Sequence, residues 1–221
     1  MLRMNRNNED IPAYLKLKCE QKGAIESCAT IVKKGGVIIY PTDTVYGIGC
    51  DPFNDRAVER IFDIKRRLPK KALPVLGYSI EDLEQIVKIS TNARKLARSF
   101  WPGPLTIICP LLSRSIISHK LTAHELSLAV RIPGNPCTLS LLKICHYLVG
   151  TSANISGESS IKSPLQVSST TLGDFDALLD GGTLDRYSHS TMVRLDEDDT
   201  VTFVRNGPIA ESDIITALST S

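Results

Sequence analysis

Residues 35–76 read GGVIIYPTDTVYGIGCDPFNDRAVERIFDIKRRLPKKALPVL, and this stretch decides the class of fold. It opens with Val37-Ile38-Ile39-Tyr40, a β-branched run with glycines before it and Pro41 after it, as in a buried strand. The turn that follows, Pro41-Thr42-Asp43-Thr44, is small and polar, and Gly47 and Gly49 come soon after. Asn54 or Asp55 can then cap an amphipathic helix that buries Val58, Ile61 and Phe62. That helix runs to a cationic end, Lys65-Arg66-Arg67, with Lys70-Lys71 beyond it. A strand end delivering hydroxyls and flexible backbone, beside a helix end delivering fixed positive charge, is a candidate polyanion site. The helix dipole alone also favours cations there, so taken singly the cluster does not decide.

The same alternation continues outward. A helix is expected over 24–34, stopped by Gly35-Gly36, and a strand resumes at 73–76. Ser79 opens an S-x-x-D sequence before another apolar stretch, close to a capping box. A helix over 92–100 must stop at Trp101-Pro102-Gly103-Pro104, where two prolines and a glycine forbid continuation and Trp101 pins the loop onto the core. Strands follow at 104–109 and 127–132. Asn135-Pro136 starts a helix to Cys145, and a strand at 148–152 feeds the turn Ser152-Ala153-Asn154-Ile155-Ser156-Gly157. Residues 158–171 read as a Ser/Thr-rich loop with one helical turn. A strand at 176–180, a hairpin of 190–195 with 200–205 across an acidic turn at 196–199, and a helix at 211–218 complete the chain. This is a single α/β domain with a mixed sheet.

At 221 residues and 42% hydrophobic content the chain can bury one sizeable core. Its 26 Lys and Arg against 24 Asp and Glu leave a net charge of +2, so any nucleic-acid surface must be local. The six cysteines form no C-x-x-C pair, which favours buried reduced thiols over zinc. No segment is apolar enough to span a bilayer and no signal-peptide pattern is present, so the chain is read as cytoplasmic, with residues 1–23 as a lead-in.

Four segments end an apolar strand in hydroxyl, amide or cationic groups: 40–44, 127–131, 151–154 and the last hairpin. Their pool holds Thr44, Lys65, Arg67, Lys71, Ser127, Arg131, Ser152, Asn154, Ser190 and Arg205, rich in donors and poor in carboxylates, which suits phosphate or carboxylate ligands. There is no G-x-x-x-x-G-K-[ST], no G-x-G-x-x-G and no G-x-S-x-G, and the four histidines sit in no nucleophile context. Turn chemistry alone would explain Ser152 and Asn154. The residues by themselves lead to an anion or nucleotide site and name no reaction.

Six ordered pieces resemble the YrdC-type threonylcarbamoyl-AMP synthases: KGGVIIYPTDTVYGIGCDP, the Lys65-x-Arg67 pair with Lys71 and Leu73, FWPGPLTII, SLAVRIPGNP, GTSANISGE, and Ser190-Thr191 with Arg205-x-Gly207. The resemblance spans 24–209. It implies a YrdC-like domain at 24–210 closed by a helix at 211–221, a twisted mixed α/β sheet, and a large positively lined concave cleft. The implied reaction joins L-threonine, bicarbonate and ATP into threonylcarbamoyl-AMP and pyrophosphate, for threonylcarbamoylation of tRNA adenosine beside the anticodon. The resemblance puts Thr44, Arg131, Gly150 and Ser190 on threonine. It puts Arg67, Lys71, Ser127, Ser152, Ser160 and Arg205 on ATP, and makes Lys65, Arg67, Ser152 and Asn154 the catalytic group. It implies Mg2+ carried with ATP, no protein-held metal, and a downstream threonylcarbamoyltransferase as partner. An RNA-binding module of the same fold, gripping tRNA or double-stranded RNA without adenylate synthesis, is the alternative.

Some positions depart from the family pattern. Arg66-Arg67-Leu68-Pro69 stands where many members read Gly-Arg-Pro, Leu76 replaces a histidine that some members place in the threonine pocket, and Asn206 replaces a proline. Longer members carry a second C-terminal domain, and this sequence reads as the single-domain form.

Overall fold

The computed structural model describes residues 14–219 apart from 69–70, 114, 170–172, 186, 188, 197 and 199. The lead-in at 1–13, Pro69, Lys70 and part of the acidic turn lie outside the described residues. Regular structure starts with β1 (Leu15–Lys18) and α1 (Ala24–Lys33), which ends at Gly35 in the left-handed region, φ +83°. Next come the hairpin β2 (Ile38–Pro41) and β3 (Tyr46–Gly49), then α2 (Asp55–Ile64), capped by Asn54 accepting from the Ala57 N–H. β4 (Val75–Gly77) leads to α3 (Ile80–Leu83) and α4 (Thr91–Phe100), capped by the hydroxyls of Ser79 and Ser90. β5 (Leu105–Pro110) and β6 (Ser127–Arg131) precede α5 (Pro136–Cys145), whose cap is Asn135. The chain then forms β7 (Tyr147–Val149), β8 (Thr151–Ser152), α6 (Pro164–Ser169), β9 (Ala177–Asp180), the hairpin β10 (Thr191–Leu195) and β11 (Val201–Arg205), and α7 (Glu211–Ser219).

Mixed α/β architecture is as expected, but the strands divide into two sheets. One has the order β1-β9-β2-β3-β8 and the other β11-β10-β5-β6-β4-β7. The division passes through Gly150. Residues 148–152 read as one apolar strand, yet Val149 pairs with Val75 in the larger sheet and Thr151 with Ile48 in the smaller. At the crossing the Gly150 N–H donates to the Pro74 carbonyl at 2.8 Å, and a Cβ there would lie 2.5 Å from Leu76 Cγ. A side chain at this point would force Leu76 to move, so glycine eases the change of sheets. β3 is a second strand that the sequence hid behind two glycines. A Cβ at Gly49 would lie 2.1 Å from the Val149 carbonyl oxygen, so close backbone approach, not flexibility, explains the residue there.

Two further readings change. The lead-in cannot extend to residue 23, because Leu15–Lys18 is an edge strand parallel to β9, with Leu15 opposite Ala177. Its short alternation buries Leu17 and exposes Lys16 and Lys18, a period-2 signal diluted by charged neighbours. Nor are all six cysteines reduced thiols. Cys19 and Cys137 form a disulfide with Cα atoms 5.8 Å apart, tying the end of β1 to the first turn of α5 across 118 residues. No local spacing could announce that pair. Cys28, Cys50 and Cys109 are buried free thiols, and burial raises the first to about 11 and Cys109 to about 12. Trp101 does pin its loop, its indole N–H donating to the Leu105 carbonyl at 2.7 Å. Among the described residues no helix is long and apolar enough to cross a membrane.

Candidate functional site

A cleft of about 470 Å³ lies where the two sheets meet. The β2–β3 hairpin supplies Thr44, and the chain after α2 supplies Arg67. The strand ends contribute Arg131, Gly150 and Ser152, the loop beyond them Ser160, and the last hairpin Ser190 and Arg205. All of these were expected from the sequence. Among the described residues no Asp or Glu lines the cleft, whereas three arginines do.

One end is built on Arg131, buried at the end of β6. Its Nε donates to the Gly103 carbonyl at 2.9 Å, its Nη2 pairs with Asp43 Oδ1 at 2.5 Å, and its Nη1 lies 3.5 Å from Thr44 Oγ1. The polar turn holds Thr44 in place. Thr42 Oγ1 donates to the Val45 carbonyl at 2.6 Å and accepts from the N–H groups of Thr44 and Val45 at 3.1 Å each. Ser190 stands nearby, its hydroxyl 2.7 Å from Thr106 Oγ1 and accepting from Arg205 Nη2 at 2.8 Å. Arg205 Nε donates to the Ser190 carbonyl at 3.0 Å. Burial, and then the charge of Arg131, lower the Arg205 pKa from the usual arginine value, so the two cations share one field.

The other end is built on Arg67. Its Nε and Nη2 donate to the carbonyls of Lys71 at 3.1 Å and Ala72 at 2.8 Å. Burial lowers its pKa as well. Lys65, two residues earlier, does not face the cleft. It is 1% exposed, and its Nζ donates to the carbonyls of Ser152 and, at 2.8 Å, Asn154. Burial and then the neighbouring Arg67 lower its pKa to about 7. Asn154 is likewise buried behind the lining, its amide donating to the carbonyls of Ile155 at 2.9 Å and Glu158 at 2.7 Å. These two residues brace the turn that presents Ser152.

Two of the expected nucleotide contacts are not brought to the lining. Lys71 is exposed at the rim. Ser127 sits at the far end of β6 from Arg131, its hydroxyl 3.2 Å from Glu125 Oε2 and accepting from Arg194 Nη1 at 3.3 Å. A five-residue strand separates its ends by roughly 13 Å, so the register explains the separation. Conversely, Thr106, His189 and Met192 line the cleft and were not singled out. Thr106, a polar residue inside the apolar run Leu105–Pro110, carried a readable signal; His189 carried none.

The arrangement can hold a carboxylate on a fixed guanidinium at one end and phosphates on donors at the other. Among the described residues no group of three or more His, Cys, Asp or Glu could hold a metal ion.

The Sua5_yciO_yrdC family model, described as "Telomere recombination", matches residues 30–207. A threonylcarbamoyl-AMP synthase of Pyrococcus abyssi is 34% identical over 175 residues, 78% of this chain and 51% of that protein. One of Klebsiella pneumoniae is 33% identical over 171 residues, 76% of this chain and 88% of that protein. The crystal structure of P. abyssi Sua5 complexed with L-threonine superposes with a TM-score of 0.85 at 30% identity, covering 93% of this chain and 61% of that one. The chain thus spans about half the length of the P. abyssi relative it matches and most of the K. pneumoniae one. With the family model covering the cleft-bearing region from α1 to the last hairpin, this chain belongs to the Sua5/YciO/YrdC family.

Proposed function

We propose that the chain is an L-threonylcarbamoyladenylate synthase, joining L-threonine, bicarbonate and ATP into threonylcarbamoyl-AMP and pyrophosphate for tRNA modification beside the anticodon. The observation that carries this reading is the pairing, in one cleft with no carboxylate among its described lining residues, of a buried Arg131–Thr44 end with an Arg67–Ser152 end. Relatives named for the same activity, and one solved with L-threonine, support it.

Threonine's carboxylate is assigned to Arg131, with Thr44 and Ser190 beside it. The amine condenses with bicarbonate, losing water, to give a carbamate. A carbamate oxygen then attacks the α-phosphorus, and the bond to the β-phosphate oxygen breaks with its electron pair leaving on pyrophosphate. Arg67 and Arg205 neutralise the phosphates, Ser152 and Ser160 orient them, and no covalent nucleophile is required. Lys71 and Ser127 do not line the cleft, and the proposal rests no nucleotide contact on either. Magnesium is proposed to enter with the triphosphate as substrate, whose own oxygens are hard-cation ligands, since among the described residues no carboxylate lines the cleft. tRNA or double-stranded RNA, and a downstream threonylcarbamoyltransferase, are the partners that go with this proposal. So is a cytoplasmic location, against which the Cys19–Cys137 disulfide pulls, since cytosolic thiol pools keep such bonds reduced.

The test is incubation with ATP, threonine and bicarbonate, followed by measurement of pyrophosphate and threonylcarbamoyl-AMP. Threonine-dependent release of both is expected. Salt-sensitive RNA binding without any turnover would instead favour the RNA-binding module.

A further inference from the structure

We infer that Asp43, which lies outside the cleft lining, is a positioning residue that aims the Arg131 guanidinium at the substrate carboxylate. The inference rests on the proposed assignment of Arg131 to that carboxylate. The side chains of Arg131 and Asp43 are 8% and 13% exposed, so the pair is largely removed from water. There each charge depends on the other, and removing one leaves its partner uncompensated.

The contact pattern is selective. Guanidinium presents five N–H groups in a rigid plane. The Gly103 carbonyl accepts from Nε and Asp43 Oδ1 from Nη2, while Thr44 Oγ1 stands 3.5 Å from Nη1. Each Nη carries two N–H groups, so Nη1 and Nη2 together keep donors for a carboxylate after these contacts are made. Asp43 contacts the guanidinium through one oxygen only and leaves those donors to the ligand.

Its second oxygen gives an independent reason to assign a function. Asp43 Oδ2 is buried and has no hydrogen-bond partner among the described residues. An unpartnered buried carboxylate oxygen carries a desolvation penalty, and such an atom calls for an explanation beyond packing. It is also confined, since a Cβ at Gly134 would lie 3.3 Å from it. The turn that carries Asp43 is the one that carries Thr44, so one short loop places both the hydroxyl and the carboxylate that hold Arg131.

The test compares wild type, Asp43→Ala and Asp43→Asn for the KM of threonine, the KM of ATP, and inhibition by acetate as a carboxylate probe. Asp43→Ala is expected to raise the threonine KM about 10–100-fold while moving the ATP KM less than about twofold. Because acetate depends on the same aimed guanidinium, it should inhibit Asp43→Ala only at higher concentration than wild type. Asp43→Asn keeps an oxygen for Nη2 but not the charge, and a rise of about 3–10-fold in the threonine KM alone is expected. An unchanged threonine KM, or both KM values rising together, would overturn the inference. If Asp43→Ala does not fold, Asp43→Asn decides by the same split between substrates. A wild type without threonine-dependent turnover removes the proposed function and this inference together; an active wild type with variants that behave like it removes only the inference.

Discussion

The Arg131 end of the cleft and the Arg67 end are both cationic, yet they are built in opposite ways. Arg131 is buried and compensated, with Asp43 against one edge and Thr44 beside another. Arg67 is held only by the main-chain carbonyls of Lys71 and Ala72, and among the described residues no carboxylate forms an ion pair with it. A compensated guanidinium with N–H donors to spare suits a single carboxylate of fixed geometry. An uncompensated one retains its full charge for a ligand that brings several negative charges, as a triphosphate does. The proposed assignment of the amino acid to one end and the nucleotide to the other rests on this contrast.

The largest effect should come from the uncompensated end. Arg67→Ala is expected to lower adenylate formation by about 10²–10³-fold with little change in melting temperature, read by pyrophosphate release and circular dichroism. Turnover like wild type would take the phosphates away from this end. Arg131→Ala should raise the threonine KM by about 10–100-fold. It should also destabilise the fold by about 3–5 kcal/mol, because Asp43 is left buried and unpaired. A defect confined to the ATP KM would exchange the two ends.

Lys65 gives a subtler test, since its role is to brace Ser152. An unfolded lysine titrates near 10.5, whereas burial lowers Lys65 to about 7. Between those values the unfolded chain binds more protons than the folded one, so this group makes stability rise with pH across that window. Below about pH 7 the fold carries the buried ammonium and the penalty is full. Lys65→Met should flatten the rise in melting temperature between pH 7 and 10; identical slopes in the two proteins would contradict the buried placement. Ser127→Ala should do least, changing stability by less than about 0.5 kcal/mol and leaving the ATP KM alone. A raised ATP KM would return Ser127 to the nucleotide site.

The difference between Lys65 and Arg67 also marks how far the sequence can be read. Periodicity and Asn54 located α2 and its cationic end, because caps and amphipathic spacing are local signals. It did not tell which cation enters the cleft. Lys65 is the C-cap, and Arg66 turns the chain through φ +47°, which sends Lys65 inward and Arg67 to the lining. Such a turn at a non-glycine residue is fixed by tertiary contacts, including the Ser156 N–H donating to the Lys65 carbonyl at 2.9 Å. The strand ends with their hydroxyls were legible for the same local reasons as the helix. The two-sheet division, the Asp43–Arg131 pair and the Cys19–Cys137 bond were not, since each depends on residues distant in the chain. That Ser127 lies outside the lining was not legible either, because membership of β6 was readable while the end of the strand facing the cleft was not.

The edge position of β1 bears on synthesis of the protein. Leu15 pairs with Ala177 and Lys18 with Asp180, so one of the earliest strands to leave the ribosome waits for one of the later strands. At about 5–20 residues per second that wait is roughly 10–30 s. During it Leu17 lacks its native cover and Cys19 its neighbours, since the partner cysteine at 137 and the strand at 177–180 are both still to come. A nascent chain with an unpaired apolar edge is a natural client for a chaperone, and this margin of the sheet can close only once residues 177–180 have been made.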